Sequence, residues 1–196
     1  FASGICPGPW TRDSGSLLYW SDRTGATQVF RMDLRTGESG QLTDAKALRA
    51  ASVALLPGRR GFCYFDGEWL VHAETARPRE RRVYAPDGGW APEPGLAISP
   101  GGERAVFVER RQSAYRLRVA RLPGGGVSTV LESDVPVAGP VLRRRAPEVL
   151  YRRGGDALWL VGLNGRGGRR LATPPGGVGP YCWSPDETAV LYLHLP

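Results

Sequence analysis

Five segments of this chain read as the same phrase, a tight turn followed by a short apolar run. They are TRDSGSLLYWSD, LPGRRGFCYFDG, SPGGERAVFVER, RRAPEVLYRRGG and SPDETAVLYLHL. Aligned on Leu18, Phe62, Ala105, Val149 and Val190, the runs recur at offsets of 44, 43, 44 and 41 residues. Regular spacing of this length is the mark of a repeat architecture, in which each unit buries its faces against its neighbours.

The internal order of each unit follows from its punctuation. A second run succeeds the first in four units, as QVFRMDL, EWLVHA, YRLRVARL and ALWLVGL. VFRMDL and YRLRVA alternate apolar and polar residues with period two, as strands do. Turns follow at RTGE, ETARP, PGGG and NGRGG, then short outer runs at GQLT, RRVY, VSTVL and RRLA. Ahead of the hairpins lie ASVALL, LAISP, GPVLR and YCWSP. Four strands, A to D, in roughly 43 residues make one propeller blade. The expected fold is therefore an all-β propeller over residues 1–196. Its blades fall near 6–44, 51–84, 96–132 and 138–173, with an incomplete one at 180–196. The half blade suggests a segment of a longer protein; compact closure with four to five blades is the alternative.

Composition agrees and narrows the function. The 196 residues are 41% hydrophobic, enough for a core, and 27 glycines with 17 prolines favour turns over helices. The formal charge is +7, carried by arginine apart from Lys46. The arginines are spread along the chain. The clusters Arg79, Arg81, Arg82 and Arg143, Arg144, Arg145 lack the aromatic array that stacks bases, so no nucleic-acid partner is expected. No run of about 18 apolar residues marks a membrane span, and no signal peptide is visible, so no membrane partner is expected. A cytoplasmic location follows, or the periplasm if a leader precedes Phe1. Cys6, Cys63 and Cys182 contain no CxxC pair and are odd in number, which argues against a disulfide framework. Cys63 reads as a buried small hydrophobe.

The phrases SPDETAVLYL and LLYWSDRTGATQVFRMDLRTGESGQLT resemble the TolB-like, WD-type propeller repeat. Its pattern is Ser-Pro-Asp-Gly, a strand, Ser-Asx-Arg-x-Gly, a strand, x-Thr-Gly-x and x-Leu-Thr. In order and spacing the chain also resembles the oligogalacturonate lyase family of seven-bladed propellers. The landmarks are WTRDSGSLLYWSDRTGATQVFRMDLRTGESGQLTD, RRVYAPDGGWAPEPGLAISPGGERAVFVE, YRLRVARLPGG, VAGPVLRR and GPYCWSPDETAVLYL. The resemblance covers the whole chain, which would correspond to about the first two-thirds of that fold.

That family degrades pectin fragments in bacteria. It cleaves uronate oligosaccharides by β-elimination, with a histidine base, an arginine near the substrate and a divalent metal such as manganese held largely by histidines. The resemblance places the family's arginine at Arg116, which opens strand C in YRLRVARL. It places the base of a Gly-His-Pro at Gly139, and the first metal histidine at Pro180. Glycine cannot take a proton and proline offers no ligand atom. No catalytic or metal residue is therefore assigned, and no cofactor is expected within this chain. His72, in WLVHAE, reads as a core or edge histidine, and it has no metal-ligand spacing to His194.

Other chemistry is thin. SGS and SPGG are turns rather than a nucleophile elbow. The glycines of GGDALWLVGLNGRGG lack the strand–loop–helix context of a phosphate cradle. Asp22, Asp33, Asp66 and Glu109 sit at strand ends and read as solvated or turn-bonding carboxylates. If the B–C turns share one face, that face collects Arg23, Arg110, Arg111, Arg152 and Arg153, and Trp90 of the D–A connection joins them. Arginine forks beside an aromatic plane suit an acidic saccharide or an acidic protein segment. The expected function is a divergent, non-catalytic binding propeller. The alternatives are an active lyase completed by blades outside this chain, and a TolB-like protein-interaction platform.

Overall fold

The computed structural model describes residues 5–195 apart from 12, 50–51, 59–60 and 76–78, with side chains described from Trp10 onward. Its described residues form strands and turns without an α-helix. Four antiparallel sheets follow one another, each a meander in chain order. The first contains β1 (Ile5–Trp10), β2 (Ser16–Ser21), β3 (Gln28–Asp33) and β4 (Ser39–Gln41). The second contains β5 (Ala54–Leu55), β6 (Gly61–Asp66), β7 (Trp69–Glu74) and β8 (Glu80–Tyr84). The third is β9 (Ala91–Ile98), β10 (Arg104–Arg111), β11 (Ala114–Arg121) and β12 (Val127–Ser133). The fourth is β13 (Val137–Leu142), β14 (Glu148–Arg153), β15 (Ala157–Gly162) and β16 (Arg169–Ala172). A hairpin of β17 (Val178–Trp183) and β18 (Val190–His194) ends the series.

Period-two alternation decides which neighbour each side chain meets. In β6, Phe62 and Tyr64 pack with Leu18 and Val29 of the first sheet. Cys63 and Phe65 point the other way, against Ala105 and Phe107 of the third. In β10, Val106 and Val108 turn to Val149 and Tyr151 of the fourth sheet. Leu150, Leu158 and Leu160 then meet Val178 of the hairpin. The core is thus a row of inter-blade layers. Fully buried Phe62, Phe65 and Phe107 each contribute roughly 1.5–3 kcal/mol through burial. Burial also pushes the Cys63 thiol up to about 12, so it stays a neutral packing group. The stack is part of a propeller. The far side of β18 leaves Leu191 and Leu193 exposed at 62% and 57%, on the face where an inner blade would meet a neighbour.

The innermost strands share an irregularity that the apolar pattern does not announce. Their pairing slips at Pro7–Trp10 in β1, between Leu96 and Pro92 in β9, at Ala138–Val141 in β13 and at Val178–Tyr181 in β17. Each slip contains adjacent glycine and proline, the composition of a bulge in a strand that cannot complete its ladder. Strand A of the third blade begins at Ala91, ahead of the Leu96 start expected from the apolar run, because the Pro92–Gly95 stretch still pairs through its bulge.

Candidate functional site

The B–C turns and the D–A connections gather at one end of the stack, here called the upper end. In the third blade, the register sets Glu109 opposite Arg116, and Phe107 opposite Arg118. Alternation carries Glu109, Arg116 and Arg118 onto the face that Ala105 and Phe107 present to the second blade. Glu109 is consequently fully buried. Its Oε2 accepts a short charge-assisted hydrogen bond from Arg116 Nε and lies 3.6 Å from Arg118 Nε. The expectation that Glu109 is solvated is wrong. A strand-end position says nothing of the neighbouring blade that covers it. Asp33 does bond its turn, accepting from the amides of Arg35 and Thr36 at 2.9 and 3.0 Å.

Around this buried carboxylate the D–A connection closes a ring of aromatic and charged groups. The Arg116 guanidinium stands 4.2 Å from the centroid of Trp90, and Arg111 stands 4.9 Å from the same ring. Arg116 also donates to the Tyr84 hydroxyl at 3.4 Å and pairs with Asp87 at 3.5 Å. Tyr84 packs on Phe107, and burial together with the adjoining Glu109 pushes its phenol upward. Burial alone would disfavour the Arg116 cation, but the hydrogen bond and charge of Glu109, with Tyr84 and Asp87, more than offset it. Arg116 therefore keeps its charge in a fixed orientation. Its one solvent-facing partner, Asp87, has a side chain 93% exposed.

The sequence-predicted residues do not form a single cluster. Arg111, Arg116 and Trp90 come together. Arg110 lies on the opposite face of β10 and pairs with Glu93 at 3.3 Å. Arg152 reaches toward the hairpin and donates to the Val178 carbonyl at 2.7 Å, while Arg153 lies 5.3 Å from the Trp159 ring. Arg23 stands 3.9 Å from the Phe30 ring in the first blade. Each guanidinium is thus occupied within its own blade or with the next. Sequence reasoning missed Glu109, Arg118 and Tyr84. The signal was present for two of them: the alternation of AVFVE puts Glu109 in phase with buried Ala105 and Phe107, and Arg118 opposes Phe107.

At the position where the lyase resemblance sets a base, the backbone of Gly139 has φ +60°. A Cβ built there would stand 2.8 Å from the Tyr181 hydroxyl. That hydroxyl lies 3.0 Å from the Ala138 carbonyl and 2.5 Å from the Gly139 carbonyl, so its proton bridges the bulge of the preceding blade. Burial holds the phenol in its protonated form. Conformation and contact both disfavour a side chain at residue 139. Pro180 has no ligand atom. His72 is half-buried, and His194 interacts with the Pro175 carbonyl. Among the described residues, no three His, Cys, Asp or Glu side chains are grouped to hold a metal ion. The divalent metal implied by the resemblance does not fit the described residues, which bring no set of donors together at Gly139 or Pro180.

No described protein family and no curated protein matches this sequence. Solved structures do. An oligogalacturonate lyase in complex with manganese superposes with a TM-score of 0.85 at 21% identity, over 93% of this chain and 56% of that one. An oligogalacturonate lyase from Vibrio parahaemolyticus gives 0.82 at 17% identity, over 98% of this chain and 66% of that one. The fold is a β-propeller. TolB from Acinetobacter baumannii, another propeller, gives 0.69 at 18% identity, over 96% of this chain and 48% of that one. At these identities the likeness is one of fold. The chain spans 56% and 66% of the two lyases' length.

Proposed function

We propose that the upper end of this propeller binds an acidic saccharide of the oligouronate class and holds it without cleaving it. The observation that carries the reading is Arg116. Its guanidinium is fixed from behind by Glu109, flanked by the Trp90 ring, and meets the Tyr84 hydroxyl and the exposed Asp87 in front. Asp87 is almost fully exposed, so solvent screens its side of the pair with the buried Arg116 and a ligand carboxylate can take its place. The fork of Arg116 then donates to the carboxylate, Arg111 adds a second cation, and the buried Trp90 ring orients both guanidinium groups.

The non-catalytic half of the reading rests on Gly139. Abstraction of the proton alpha to a uronate carboxylate needs a base within hydrogen-bond reach. The position where the resemblance would set that base carries no side chain and is closed by Tyr181. The test uses the full-length protein with tri-galacturonate, followed by calorimetry and by absorbance of the unsaturated product, with and without manganese. Binding that weakens roughly tenfold in Arg116→Lys, with no rise in absorbance, is the expected outcome. Product formation would replace this reading with that of an active lyase whose base comes from outside these residues. Absence of binding, with capture of an acidic peptide instead, would favour a protein-interaction platform of the TolB kind.

A further inference from the structure

The opposite end of the stack carries arginines in a different condition. The register sets Arg104 directly across from Arg121, so two like charges face each other on neighbouring strands. Such a pair is destabilising until a counter-charge lies between them, although both side chains are exposed and solvent screens part of the repulsion. Among the described residues, neither side chain makes an ion pair. Alternation turns both toward the fourth blade, in phase with Val106 and Val119. There they line a cleft of about 690 Å³ between the third and fourth blades.

The other walls of the cleft suit an anion. Its floor is Val119 and Leu163. Ser128 adds a hydroxyl, and Asn164, whose Oδ1 accepts from the Arg166 amide at 3.0 Å, has its amide nitrogen left to donate. The one carboxylate in the lining, Glu148, is already engaged by Arg143 at 2.7 Å and Arg169 at 4.0 Å. A second hollow of about 280 Å³ shares Arg104 and adds Arg144 and Arg145 together with the carboxylate of Glu103. At the upper end of the same blade Arg116 and Arg118 find a carboxylate and rings. Here Arg104 and Arg121 border an open space.

We infer that this cleft is a second binding site, distinct from the upper end, for a small molecule bearing two or more anionic oxyanion groups, phosphate or carboxylate. The two forks are set side by side by the strand register, so both cations can reach one ligand. The volume is that of a small-molecule site rather than of a macromolecular groove. The apolar floor leaves room for the carbon skeleton between the anionic groups.

The experiment is calorimetry on the full-length protein with pyrophosphate and, separately, citrate, in low and moderate salt. The inference expects at least one to bind, with affinity that falls as salt rises. Arg104→Gln and Arg121→Gln should each weaken it roughly tenfold, while Arg35→Gln, which removes the same charge from a distant turn, should not. Binding of pyrophosphate alone assigns a phosphate ligand, and binding of citrate alone a carboxylate. Melting temperature supplies a second readout. Without anion, Arg121→Gln should not lower it, because the substitution removes a repulsion. Failure of both anions to bind, unchanged affinity in both variants, or marked destabilisation by Arg121→Gln would each overturn the inference. Arg121→Lys, which keeps the charge but loses the fork, should bind with intermediate affinity. None of these outcomes depends on Arg116, so the upper-end reading stands or falls separately.

Discussion

The two ends of the third blade use the same residue to opposite effect. At the upper end Arg116 and Arg118 share one buried carboxylate and abut Trp90 and Tyr84. At the lower end Arg104 and Arg121 oppose each other across the same two strands with no carboxylate between them. The first pair is held in place by the folded chain, although Glu109 Oε1 and Arg118 Nε are buried without a hydrogen-bond partner, and Arg116 keeps one edge toward the exposed Asp87. The second is a cost the fold carries on its own, which a ligand can relieve. Whether a strand arginine is structural or available depends on what the adjacent blade presents to it.

That contrast can be broken most forcefully at Glu109. Replacement by Leu leaves Arg116 and Arg118 without their buried counter-charge, and should destabilise the protein by about 3–5 kcal/mol in urea unfolding. A loss well under 1 kcal/mol would mean that the upper arginines are no better held than the lower ones. Next in size, Gly139→Ala should cost about 2 kcal/mol, from the left-handed backbone and from the crowding of the Tyr181 hydroxyl. Part of that loss should return in a Tyr181→Phe background; strict additivity of the two changes would show that the hydroxyl does not close the bulge.

A smaller effect tests the held part of the lower end. Glu187 adopts φ +61°, and its carboxylate accepts from the amides of Arg144 and Arg145 at 2.5 and 3.1 Å. Burial opposes its ionisation, but those two amides and the charges of Arg143 and Arg145 outweigh it and hold the carboxyl below the ordinary glutamate value of 4.5. A depressed folded-state value means that the stabilisation is present above 4.5 and is lost as pH falls through the folded value. The stability gap between the native protein and Glu187→Gln should therefore be constant near neutrality and shrink in acid. A gap independent of pH would remove the carboxylate from that role. Smallest of all, Arg104→Gln should raise stability by up to about 0.5 kcal/mol in ligand-free buffer, the reverse of the effect at Glu109.

Much of this was legible in the chain. The offsets among Leu18, Phe62, Ala105, Val149 and Val190 define the blades, since a strand of given length must return at a fixed interval when copies stack. Arg111, Arg116 and Trp90 could be assigned to one end because B–C turns and D–A connections alternate with their counterparts at the other. The bulges were also written in the sequence, as the recurring Gly-Pro pairs of CPGPW, PEPGL, AGPVL and VGPYC. The grouping of Arg23, Arg110 and Arg152 with them was not recoverable, because a turn arginine can stack on its own blade, pair across its own sheet or reach forward to the next.

By itself, then, the sequence determined the period, the four-strand unit and the two faces of every strand, because these depend on local repeats and on the alternation of side chains. Tertiary structure alone decided that Glu109 is buried, that Tyr181 fills the space beside Gly139, and that Arg104 and Arg121 border a cleft instead of a partner. Each of these depends on contact between blades about 43 residues apart in the chain. The charge state, burial and availability of a side chain belong to the pair of blades that enclose it, and no single strand contains them.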